Sequence, residues 1–254
     1  MRRRGAHRKS VNAAANESAM KELMPTEKLR VALVFAPSMS IFFVVKDADG
    51  KPRGVTADLA DALGRKFDLP VEHMLFANSG LATDALEAGS VDVAFMPVDE
   101  ERRKRIAFGP NYALAESTYM ATAASGAKTV DDVDRAGMRV IGIANTTTIR
   151  AAGRTLKNTT ISPVSSVQDA VALLRDGKAH AFALSRDSLP PYVKQIPGSR
   201  MVDGAFQQIG IAIAVAKGKP AALAAVTAFM DEAKKTGVVR RALDKAGFED
   251  PVAP

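Results

Sequence analysis

The feature that most constrains this chain is a strand–helix alternation that runs twice along its length. Leu29–Phe35 has the make-up of a strand, and Thr56–Phe67 places Leu59, Ala60, Leu63 and Phe67 on one helical face. Val71–Phe76 reads as a second strand, Gly80–Ala88 as a helix stopped by Gly89, and Val91–Phe95 as a third strand. Ile41–Val45 is a further strand candidate, closed by the turn Asp47-Ala48-Asp49-Gly50. A second run follows Ala121. It opens on the helix-start box Thr129-Val130-Asp131-Asp132 and continues through strands at Met138–Ile143, Thr160–Ser162 and Ala179–Leu184. Helices at Thr147–Leu156 and after Ser166 separate those strands, and another starts within Ser188–Gln195. Gln208–Val215 is a last long strand, Pro220 suits a helix's first turn, and Val238–Lys245 is a closing helix. Such alternation predicts mostly parallel sheets flanked by helices. Crossings near Tyr112–Ala121 and Gln208–Ile213 turn the pattern into a hinged, two-lobe clamp. A single α/β sheet of about eight strands is the plainer alternative.

Composition narrows the function. Apolar residues make up 47% and charged residues 25%, ordinary proportions for a globular chain with a sizeable core. No run approaches a membrane-spanning length. The net charge is +7, but the first nine residues alone carry five positive charges and no acid. The remaining excess is diffuse and suits anionic ligands or surfaces rather than a nucleic-acid footprint. With no Trp and only three Tyr, platforms for stacking bases are poorly supplied. The absence of Cys removes disulfides, thiolate metal sites and cysteine nucleophiles together. No His-x-x-x-His, Gly-x-Ser-x-Gly, phosphate-loop or Gly-x-Gly-x-x-Gly spacing occurs, so neither metal nor cofactor is expected. Residues 1–27 are expected to be a disordered basic leader. Their start resembles the n-region of an export signal, but Ser10–Ser18 is too polar for the apolar segment that must follow.

Five stretches, in order, resemble the solute-binding proteins of ATP-driven importers for polar amino acids (bacterial extracellular solute-binding proteins, family 3). They are Gly54–Leu59, Leu86–Asp92, Glu101-Arg102 with Phe108–Tyr112, Gly142–Thr148 and Ala170–Ala183. The resemblance runs from Leu29 to Phe248. It implies an α/β, type II periplasmic-binding-protein-like fold: two lobes, each a mixed sheet flanked by helices, joined by two hinge strands. The expected division is 28–115 plus 212–254 for lobe 1 and 116–211 for lobe 2 with the crossings. It further implies a periplasmic monomer that closes over a small ligand and then meets a membrane permease of an ABC transporter, with no nucleic acid involved.

The resemblance also nominates ligand residues. Arg102 is expected to grip a carboxylate from an exposed position in the cleft, its fork matching the two oxygens. The helix start after Ile143 brings free N–H groups and the hydroxyls of Thr147 and Thr148 to the same anion. Phe35 and Phe42, with Ser38 and Ser40 between them, lie where relatives place an aromatic wall. Asn78 and Ser79 precede a helix at a strand end. Glu116 and Tyr119 lie in the first crossing. Core packing, helix capping and a hinge salt bridge are the structural alternatives for these residues. Asp99 is read as the cap of a short helix, and His73 and His180 as structural.

Ser185 stands where relatives carry the acid that holds the α-ammonium. A serine cannot neutralise an ammonium in a dry cleft. The favoured ligand at this stage is therefore a small organic or aromatic acid. An α-amino acid countered by Glu116 or Asp187 is the alternative. A dehydratase-like enzyme using Glu116 as a buried acid, or an intracellular sensor, are further alternatives; the leader is too short for a helix-turn-helix module.

Overall fold

The computed structural model describes residue 14 and residues 17–254. After a helix at 17–23, the first half forms β1 (Leu29–Val34), β2 (Val45–Lys46), β3 (Pro52–Arg53), α1 (Val55–Phe67), β4 (Val71–Phe76), α2 (Ser79–Glu87), β5 (Val93–Pro97), α3 (Glu100–Arg105) and the long β6 (Ile106–Ala121). The second half adds α4 (Val130–Val133), β7 (Val140–Ile143), α5 (Thr147–Thr155), β8 (Ile161–Val164), α6 (Val167–Arg175), β9 (Ala181–Ser185), α7 (Pro190–Gln195) and β10 (Arg200–Met201). The chain then returns through β11 (Gln207–Ala216) and ends in α8 (Pro220–Lys235) and α9 (Val238–Ala246).

The main sheet runs β4-β1-β5-β11-β6-β9-β7-β8, with β10 on β6. Two parallel trios, β4-β1-β5 and β9-β7-β8, flank a central antiparallel pair, β11-β6. Each trio with the near end of that pair is the mixed sheet of one lobe. The ladder is unbroken because β6 and β11 belong to both lobes. Register shifts at Ile211/Ala212 and Ala212/Ala214 interrupt the pair midway. Beside them, a Cβ on Gly210 would lie 2.2 Å from the Asn111 side-chain amide, which fills the space that the glycine leaves open. The larger core packs β1, β5 and β11 under α1, α2 and α8, and it continues into the second lobe through Ile141, Phe182 and Leu184. Tyr119, Val133, Val140 and Ala181 form a smaller core on the second lobe's other face.

Local chemistry explains where sequence and structure part. Ile41–Phe43 is a loop rather than a strand: Ser40 Oγ accepts from Phe42 N (3.0 Å) and Phe43 N (2.7 Å), so side chains replace ladder partners. The helix sought in Ser188–Gln195 begins only at Pro190, after a 3₁₀ turn at Arg186–Ser188. Part of the expected leader is folded. Leu23 is fully buried, and Glu22 Oε2 accepts from Ala222 N (2.7 Å) at the start of α8. Residues 1–13, 15 and 16 of that leader lie outside the described residues. Among the described residues, no helix is long and apolar enough to cross a membrane.

Candidate ligand cleft

Arg102 lies at the seam between the lobes. Where β5 ends, Asp99 caps α3 by accepting from Arg102 N (2.9 Å), which turns the arginine inward. The side chain is not exposed as the sequence reading assumed; the residue is 2% exposed. Nη1 donates to Pro97 O (2.8 Å), and Nη2 donates to Ser79 Oγ (2.6 Å) and, across the seam, to Asn145 O (3.3 Å). All three acceptors are neutral. Burial first, and the neighbouring Arg150 second, pull its pKa down to about 9. A guanidinium stays charged at neutral pH even so. The seam therefore contains a buried cation with no carboxylate on it among the described residues.

Facing it is the start of α5. Asn145 adopts a left-handed conformation (φ 58°) that turns β7 into the helix. Thr146, not Thr147, is the cap: its Oγ1 accepts from Ile149 N (3.2 Å) and donates to Ile143 O (2.7 Å). Thr147 is thereby released. Its hydroxyl is buried and has no hydrogen-bond partner among the described residues. Thr148 Oγ1 lies 3.4 Å from Ser117 Oγ.

A cavity of about 40 Å³ lies between the lobes. Phe42, Phe43, Ile143, Leu184, Ile209 and Ile211 give it an apolar wall, and Asn78, Ser79, Ser117, Thr147, Thr148 and Ser185 supply polar groups. Among the described residues, no charged side chain lines it. Such a space takes about three waters, so anything of amino-acid size enters only when the lobes part. Several contacts close the seam. Asn78 Nδ2 donates to Ser165 O (3.1 Å), Ile41 N to Asp187 Oδ2 (3.0 Å) and Ser38 N to the Tyr192 hydroxyl (3.2 Å). Gly80 abuts Asn145 so closely that a Cβ on it would come within 2.5 Å of the Asn145 Cβ. Arg150 Nε donates to Asp99 Oδ2 at 2.7 Å.

Of the residues singled out from sequence, Phe42, Asn78, Ser79, Thr147, Thr148 and Ser185 share this cavity, and Arg102 stands one hydrogen bond behind Ser79. Three lie elsewhere. Phe35 carries Lys46 Nζ 5.4 Å from its ring centroid. Glu116 is exposed and pairs with Arg186 Nε at 3.1 Å. Tyr119 is buried in the smaller core, 4.6 Å from the Phe206 ring. Asp187 is half-buried and does not line the cavity; desolvation raises its pKa, against hydrogen bonds led by that from Ile41 N. Sequence reasoning missed Phe43, Ile209 and Ile211 as cavity residues. The adjacent aromatics at 42–43 and the alternation of Ile209 and Ile211 along a hinge strand were the available signals.

Comparison with known proteins agrees with this architecture. The family described as bacterial extracellular solute-binding proteins, family 3, matches residues 34–248. A glutamine-binding protein of Geobacillus stearothermophilus is 22% identical over 213 residues, covering 82% of this chain and 80% of the relative. The ABC transporter glutamine-binding protein GlnH of Bacillus subtilis (strain 168) is 21% identical over 249 residues, 96% of this chain and 91% of that protein. Among solved structures, an ancestral arginine-binding protein bound to glutamine superposes with a TM-score of 0.77 at 26% identity, covering 88% of this chain and 99% of that one. With a family match spanning most of its length and both lobes present, the chain belongs to the bacterial extracellular solute-binding proteins of family 3.

Proposed function

We propose that this protein, the solute-binding component of an ABC importer and not an enzyme, captures a small α-amino acid whose side chain is uncharged. The observation that carries the reading is the buried Arg102 guanidinium, whose three acceptors are all neutral. A ligand carboxylate would supply the missing negative charge, shared with the N–H groups of α5 and the free hydroxyl of Thr147. The ligand's side chain would lie against Phe42, Phe43, Ile143 and Leu184, a wall with nothing to neutralise a charged tip. The positive end would meet Ser185, whose hydroxyl lies 2.6 Å from that of Ser188 and close to the half-buried Asp187. Curated relatives carry the name of glutamine-binding proteins, which favours an amino acid over the organic acid suggested by Ser185 alone.

In this reading the lobes comprise 28–115 plus 212–254 and 116–211. The protein acts as a periplasmic monomer, and its closed form docks on a membrane permease. A carboxylic acid without an ammonium is the second reading, because no carboxylate lines the cavity. Titration calorimetry with amino acids, glutamine first, beside their deaminated analogues separates the two. Binding confined to the amino forms is the expected result; equal or tighter binding of the deaminated acids would overturn it.

A further inference from the structure

Asp99 has two partners on opposite sides of the seam. Its Oδ1 accepts from Arg102 N (2.9 Å) and so fixes α3, the helix that carries the proposed anion grip. Its Oδ2 takes Arg150 Nε at 2.7 Å and the Nη2 of the same guanidinium. Arg150 projects from α5 in the other lobe. The two side chains are 11% and 25% exposed, so salt screens them less than a surface pair. Among the described residues this is the one ion pair that joins the lobes across the cleft. Neither residue lines the cavity. Arg150 also bears directly on Arg102, whose proton it weakens, and Asp99 opposes that effect. Asp99 thus holds the Arg102 backbone N–H in one lobe and the Arg150 guanidinium of the other, beside the charge of Arg102.

We propose that the Asp99–Arg150 pair is a closure latch: it holds the lobes shut from outside the ligand cavity and ties closure to the seating of the Arg102 helix. The proposal rests on the reading of the chain as a closing two-lobe binder. It predicts an asymmetry that a plain surface bridge would not give. Neutralising Asp99 leaves Arg150 and Arg102 facing each other, so repulsion adds to the lost attraction. Neutralising Arg150 removes the attraction alone. Removing both charges should therefore restore part of the closure lost on neutralising Asp99.

The chain has no cysteine, so Glu72→Cys on β4 and Ser162→Cys on β8, the outermost strands, take spin labels uniquely. Pulsed electron resonance on the full-length protein, with and without excess L-glutamine, reads the closed and open distances. Asp99→Asn retains a good helix cap. It should lower the closed-to-open ratio about tenfold, Arg150→Gln should lower it less, and the double variant should lie above Asp99→Asn. Distances that match wild type in both single variants, or a double variant more open than Asp99→Asn, would overturn the latch. Should Asp99→Asn fail to fold, Arg150→Lys against Arg150→Gln carries the test: the lysine, which keeps the charge, must hold the lobes more closed than the glutamine, and equality overturns the proposal. If glutamine shifts the wild-type distance while the variants behave as wild type, the latch alone fails. A wild-type distance unmoved by every amino acid and deaminated acid in the calorimetric set sinks the closing-cleft reading and the latch together.

Discussion

A guanidinium enclosed by neutral acceptors loses its hydration without gaining a counter-charge. Arg102 is in that position, bonded to one side-chain hydroxyl and two backbone carbonyls. Its contribution to folding and its contribution to binding should therefore have opposite signs. Arg102→Met fills similar space without charge. The variant is expected to melt at or above the wild-type temperature, since replacing a poorly compensated buried ion by an apolar side chain is often neutral or stabilising. In calorimetry it should lose about a hundredfold or more in affinity for whichever ligand the wild type binds, because the proposed carboxylate partner has gone. Unchanged affinity would remove Arg102 from the ligand site. The sequence alone pointed to Arg102 through its Glu-Arg context and its distance from Phe108. It could not report burial, because burial comes from Ser79 and Asn145, 23 and 43 residues away.

At the scale of elements, the seam is made by two helix starts brought end to end. The start of α2 presents Asn78, Ser79 and Gly80, and the turn into α5 presents Asn145 to Thr148. The 16-residue β6 was visible in the sequence only as a crossing near Tyr112–Ala121. Both helices were readable from their periodicity, as was the return strand from its apolar alternation over Gln208–Val215. The loop at Ile41–Phe43 was not, because its apolar content copies a strand while Ser40 takes its N–H groups. Nor was the true cap of α5: three successive threonines offer three candidates, and only the left-handed turn at Asn145 selects Thr146. Nothing in the sequence sets Arg150 apart from other helical arginines; its partner Asp99 lies 51 residues away in the other lobe. Gly80 isolates this end-to-end contact. Its backbone is helical, so alanine should favour α2 by up to about 1 kcal/mol. Yet the added Cβ would collide with the Asn145 Cβ at 2.5 Å across the seam, a far closer approach than the 3.1 Å to Asn78 Oδ1 within its own lobe. Gly80→Ala should keep or raise the melting temperature while weakening ligand binding at least tenfold, the loss appearing as faster dissociation in stopped-flow. Wild-type affinity in this variant would mean that the lobes do not approach this closely around the ligand.

Over the whole molecule, the cleft and the helix at 17–23 sit at opposite ends of β5. Pro97, at the far end, accepts from Arg102, whereas Asp92, just before the strand begins, lies 4.0 Å from Lys219 Nζ. That lysine also donates to Glu22 O (3.0 Å), so the helix at 17–23 is joined to the base of the first lobe. Composition had marked the whole segment as a leader, because its basic start dominates the charge count and two buried residues, Ala19 and Leu23, are too few to stand out as a periodic pattern. Its removal should separate stability from function. A chain beginning at Lys28 loses the burial of Leu23, about 2 kcal/mol, and the Glu22 cap of α8, about 1 kcal/mol. For a chain of this length, the melting temperature should fall by roughly 6–12 °C. Ligand affinity at 25 °C should stay within about twofold of the full chain, because no group of the cleft touches the lost helix. An undiminished melting temperature would show that the helix adds nothing to the fold. A large loss of affinity at a temperature where the shortened chain is still folded would show that the base of the first lobe is coupled to the cleft through β5.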